Sequence, residues 1–137
     1  MLFEKFEQTL SGAVMVGQFM ILGKEGPLRR EEYTIKSVRK LPQGDFWLFQ
    51  ARIKYGDKDI TLPLPLNVKW AGDTPVITLT DLNIPGLGTC GARVVIHDDM
   101  YAGTWTHGNA SGHMFGVIKK VGGTPNEDAS SEANPRD

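Results

Sequence analysis

From Asp59 to Trp70 the chain alternates with a period of two. Ile60, Leu62, Leu64, Leu66, Val68 and Trp70 fall on one face, and Asp59, Thr61, Pro63, Pro65, Asn67 and Lys69 on the other. An extended strand places alternate residues on opposite faces, so this segment reads as a strand with one buried and one wetted face. Pro63 and Pro65 narrow the choice further. The N–H groups of residues i and i+2 point to the same lateral side of a strand, so both missing donors lie along one edge. That edge cannot be fully paired. The segment is therefore an edge strand or borders a gap in an otherwise closed sheet, and the prolines defend it against pairing with other chains. The expectation is a barrel with an imperfect seam here.

Period-two patterning recurs over 13–22, 32–40, 46–55, 75–82, 92–97, 100–106 and 113–120, making eight strands with the proline-containing one. Short connections such as Gly56-Asp57, Gly72-Asp73 and Asp98-Asp99 favour antiparallel neighbours in meander order. Ahead of them Leu2, Phe3, Phe6 and Leu10 recur at helical spacing, which predicts a short amphipathic helix capping one barrel mouth. The fold expectation is all-β: an eight-stranded antiparallel up-and-down barrel with a short N-terminal helix. A β-sandwich is the alternative. One domain over 1–121 accounts for the 137 residues, followed by a polar acidic tail over 122–137 whose only apolar side chains are two alanines.

Charge and composition remove several function classes. Fifteen Lys and Arg against sixteen Asp and Glu give a net charge of −1, without the basic excess of a nucleic-acid binder. The stretch from Ala13 to Leu22 is broken by Gly17 and Gln18 and is too short to span a bilayer, so no membrane span is expected. A single cysteine, Cys90, rules out an internal disulfide framework. No basic cluster precedes the first apolar stretch, so the expected location is cytoplasmic as the sequence stands, or exported if a leader was trimmed. Oligomeric state is not encoded in any of these features.

Motifs for chemistry are sparse. Gly86-Leu87-Gly88-Thr89-Cys90-Gly91 matches a dinucleotide string, but a strand pattern follows where a helix N-terminus would have to hold the phosphates. His97, His107 and His113 all lie in the last third of the chain. His107 and His113 flank the segment 108–112, with no nearby carboxylate to complete a metal site, so neither metal nor other cofactor is expected. By parity His113 shares a face with Phe115 and Val117, which points it toward the interior.

The short helix followed by eight meander strands resembles the calycin superfamily of lipocalin-like, avidin-like and nitrobindin-like barrels, over roughly residues 2–121. Gly103-Thr104-Trp105 has the spacing of the lipocalin Gly-x-Trp signature but sits near the C-terminus, away from the first strand where that signature belongs. No ligand residue is carried over from the resemblance; eight-stranded barrels are packed solid or hold one small ligand, and large rings on the inward face suit the wall of an apolar cavity. The leading functional expectation is thus a binding protein for a small, largely apolar molecule, lined by Trp47, Phe49, Leu62, Leu64, Trp70, Trp105 and His113. One alternative is an isomerase- or cyclase-type enzyme using His113 or Tyr101 for proton transfer. The other is a structural or interaction module with a solid core.

Overall fold

A longer loop over 20–28 joins the first two strands, short connections return each later strand onto its predecessor, and the last strand meets the first. The structure is a computed structural model that describes residues 2–120, apart from the side chain of Tyr55. The expected tail over 122–137 lies outside the described residues. A helix, α1 (Leu2–Leu10), precedes eight strands: β1 (Ala13–Phe19), β2 (Arg29–Lys40), β3 (Phe46–Tyr55), β4 (Lys58–Ala71), β5 (Thr74–Ile84), β6 (Gly88–His97), β7 (Met100–His107) and β8 (Ala110–Lys120). They form a closed antiparallel barrel in sequence order, with β1 paired to both β2 and β8. This is the up-and-down barrel expected from the alternation, and it is compatible with a calycin-like architecture.

Local chemistry explains the tight connections. Asp98 and Asp99 both adopt positive φ, 51° and 61°, the backbone of a two-residue hairpin turn that Asp and Asn tolerate better than most residues. In β2 a bulge between Ile35 and Ser37 reverses the alternation. Glu31, Tyr33 and Ile35 consequently share the inner face with Val38 rather than with Ser37.

Helix α1 closes one end. Phe6 and Leu10 are buried, and Phe6 meets Trp47, Phe49 and Trp70 at ring-centroid distances of 4.8, 6.3 and 5.8 Å. Phe3 packs edge-on to Trp47 and stacks on Trp70. The helix C-terminus is held by Lys120 of β8, whose ammonium donates to the carbonyls of Gln8 and, at 2.6 Å, Ser11. A cation there satisfies carbonyls that the helix itself leaves open.

The opposite end is splayed between β4 and β5. Strand β4 pairs with β3 from Lys58 to Asn67, but with β5 only from Asn67 to Ala71. The amide of Val68 donates to Asp45 on the β3 side at 3.0 Å, which fixes the parity: even-numbered residues of β4 face β3 and odd-numbered ones face β5. Pro63 and Pro65 therefore turn their donorless nitrogens toward β5, where the sheet has opened. Strand β5 diverges at a bulge between Leu79 and Leu82, with Asp81 at φ 52°. Arg93 ties this bulge down by donating to the Leu79 carbonyl at 2.7 Å and to Thr80 Oγ1 at 2.9 Å.

Candidate functional site

The barrel is not filled by its own side chains. Beyond the aromatic plug under α1 lies a cavity of about 160 Å³, and its walls come from the inward face of nearly every strand. Met15 and Phe19 of β1, Phe49, Ala51 and Ile53 of β3, and Leu64 and Leu66 of β4 form one side. Ile77, Leu79, Ile84, Leu87 and Val94 form the other, with Trp105 and Met114 between. An engineered apolar cavity of about 150 Å³ stays dry and binds benzene, so this volume suits a molecule about the size of a single ring. The solid core invoked for a purely structural module is not what the barrel contains.

Polarity on these walls centres on Glu31, which is only 3% exposed and is the single buried charged side chain among the described residues. Tyr33 donates its hydroxyl to Glu31 Oε1 at 2.8 Å, and Tyr101 donates to Oε2 at 2.7 Å. Burial pushes the Glu31 carboxyl above the usual carboxylate range, and the two hydroxyl donors hold the rise back. The same burial, with the carboxylate beside it, drives the Tyr101 phenol far above its ordinary value.

A row of four residues explains how Tyr101 reaches so far. Tyr101 of β7 pairs with Gly116 of β8, Gly116 with Gly17 of β1, and Gly17 with Glu31 of β2. The two middle positions carry no side chain, and the phenol lies across the space they leave. A Cβ at Gly17 would collide with the Tyr101 hydroxyl and the Phe115 carbonyl; one at Gly116 would stand 2.7 Å from a Tyr101 ring carbon and strike the Val16 carbonyl. The glycines create the trough, Tyr101 fills it, and Glu31 terminates it.

At the splayed end, Cys90 and His107 are directly paired across β6 and β7, and both line the cavity. A His107 ring nitrogen contacts the carbonyl of Leu87, which anchors the β5–β6 turn at the rim. Burial pushes the Cys90 thiol up, the opposite of what activates a nucleophile. Among the described residues no group of three or more His, Cys, Asp or Glu side chains could hold a metal ion. Among them also, no helix is long and apolar enough to cross a membrane.

Of the residues expected to line a cavity, the structure brings together Phe49, Leu64 and Trp105. Trp47 and Trp70 stand under α1 in the aromatic plug, and Leu62 packs against the core outside the cavity wall. His113 requires correction: it is exposed on the outer face, and its hydrogen bonds run through the backbone, the carbonyl accepting from Trp105 Nε1 at 3.3 Å and the amide donating to Met20 Sδ at 3.2 Å. The parity linking His113, Phe115 and Val117 holds, but Phe115 and Val117 are themselves 48% and 43% exposed. The inward set of β8 contains Gly112, Met114, Gly116 and Ile118, and its two glycines erase the apolar signal that would have identified it. The imidazole that does face the interior is His107.

Sequence reasoning missed Glu31 altogether. Two signals bore on it: its parity with Tyr33 and Ile35, and the placement of Gly17 and Gly116 inside otherwise regular strands, which marks a close approach by another group. Compared with protein families, with curated proteins and with solved structures, the chain matches none of them.

Proposed function

We propose that this protein binds a small, largely apolar molecule inside the barrel. The observation that carries the reading is the hollow, aliphatic and aromatic interior, plugged by α1 at one end and bordered by an unpaired β4–β5 seam at the other. Removing apolar surface from water is the dominant favourable term in such a site, at about 25 cal/mol per Å². The calycin-like arrangement supports the same reading by architecture, since eight-stranded barrels of this kind can enclose one small ligand. Toluene is a suitable probe. It is expected to raise the thermal midpoint in proportion to the logarithm of its concentration, and Ala51→Leu, which extends a side chain from the cavity wall, is expected to abolish the shift. An unchanged midpoint in the wild type would remove the reading.

The pair of Glu31 and Tyr101 favours a second reading, a proton-transfer enzyme. A carboxyl with a raised pKa beside an apolar cavity has the properties of a general base or acid. Tyr101 then positions Glu31, and exposed His113 takes no part. On this reading the wild type exchanges the α-protons of a cavity-sized ketone such as cyclopentanone in deuterium oxide, and Glu31→Gln does not. Equal exchange by the two proteins would return the site to binding alone.

A further inference from the structure

We infer that Glu31 sets the chemical class of the ligand: an apolar molecule of about single-ring size that carries an amine. The inference rests on the binding reading above and concerns the polar end of the molecule held there. Tyr33 and Tyr101 both spend their hydroxyl protons on Glu31, one on each oxygen. The carboxylate has about four lone-pair sites, so acceptor capacity remains after both bonds are made. What this part of the wall offers a ligand is therefore acceptors and, in the ionised form, negative charge.

The partners of that charge are neutral. Among the described residues no ion pair is made to Glu31, which is held by two phenols; the other polar side chains on the cavity wall are those of Cys90, Thr106 and His107. A buried carboxylate with hydrogen bonds but no cation is compensated only in part, and a cation brought into contact completes it. An ammonium group supplies both charge and donors, while an anionic head would meet like charge at low effective dielectric and be rejected. The device therefore selects against carboxylic acids and in favour of amines. The row of Gly17 and Gly116 gives it rigidity, because the phenol that orients Glu31 is seated on backbone rather than on mobile side chains.

The test uses three molecules of nearly equal size, benzylamine, toluene and benzoate, titrated calorimetrically into the full chain and into Glu31→Gln. Benzylamine is expected to bind the wild type at least tenfold more tightly than toluene, with benzoate weaker than both. In Glu31→Gln that advantage should vanish while toluene affinity stays within about twofold, which also reports that the cavity has kept its shape. Equal wild-type affinities for benzylamine and toluene would overturn the inference and leave the binding reading standing. So would an amine preference that survives Glu31→Gln. Failure of all three to bind the wild type would remove the binding reading, and this inference with it. Should Glu31→Gln not fold, the wild-type order of affinities still decides.

Discussion

At the scale of single residues, the interior is organised by what two glycines leave out. A methyl group at Gly116 meets backbone of β1 as well as the Tyr101 ring, so neither neighbour can yield without moving the sheet. Gly116→Ala is expected to cost about 1–3 kcal/mol in urea unfolding, the usual range for overpacking, and to displace Tyr101 from Glu31. Glu31 itself links stability to pH. Its folded pKa is raised above the ordinary 4.5, so between the two values the folded chain holds a proton that the unfolded chain has lost. Its stabilising contribution is present below the unfolded pKa and falls away as pH rises through the folded one. Glu31→Gln should therefore flatten this part of the stability profile, gaining on the wild type as pH climbs from the ordinary 4.5 through the raised folded value. Parallel profiles for the two proteins would mean that Glu31 is not desolvated in solution. Residue-level function was the least legible part of the sequence. Phe49, Leu64 and Trp105 stood out as apolar rings and aliphatics at regular parity, and all three line the cavity. Glu31 was invisible because an acidic residue beside Glu32 and two arginines reads as wetted surface until its hydroxyl donors, one of them seventy positions away, are known.

At the scale of elements, α1 and β4 were the most legible, because each carries a pattern that only one environment satisfies. The Leu2, Phe3, Phe6 and Leu10 spacing predicted a cap, and Phe6 and Leu10 are the residues the cap buries. Leu2 and Phe3 remain partly exposed at 41% and 44%, since a nine-residue helix across a barrel mouth has a rim as well as a floor. Element ends were harder. Strand β6 starts at Gly88, four residues before its apolar pattern begins, because backbone pairing with β5 continues through Thr89 and Cys90 without needing apolar side chains. Phe6→Ala would remove the ring at the centre of the plug, with an expected loss of about 3–5 kcal/mol in unfolding free energy and a measurable change in Trp47 and Trp70 fluorescence. A loss below about 1 kcal/mol would show that the helix is only loosely seated.

At the scale of the whole molecule, closure and opening are divided between the two ends. At the helix end β4 pairs with β5, and toward the other end the two strands part along an edge where Pro63 and Pro65 carry no donor. On the binding reading, this asymmetry is where a small molecule would enter without melting the plug. It also explains why two prolines can be placed in a strand whose inner face builds the cavity: Leu64 and Leu66 need the strand, while the lateral edge beside Pro63 and Pro65 has no partner to lose. Amide hydrogen exchange reads the division directly. The amides of Leu62 and Leu64 face β3 and should exchange only on sub-global opening. That of Thr61 faces the gap and should exchange faster by about a hundredfold or more. Comparable protection at Thr61 and Leu62 would mean that β5 closes over β4 in solution and that the ligand path lies elsewhere. The same edge carries a second consequence. Pro63→Thr combined with Pro65→Thr restores two donors along an open strand edge, and such an edge is a template for another chain. The double variant should keep its fold, because the inner face is untouched, yet show a concentration-dependent rise in sedimentation coefficient that the wild type lacks. A variant that sediments like the wild type at every concentration would assign the prolines to the curvature of β4 rather than to the protection of its edge.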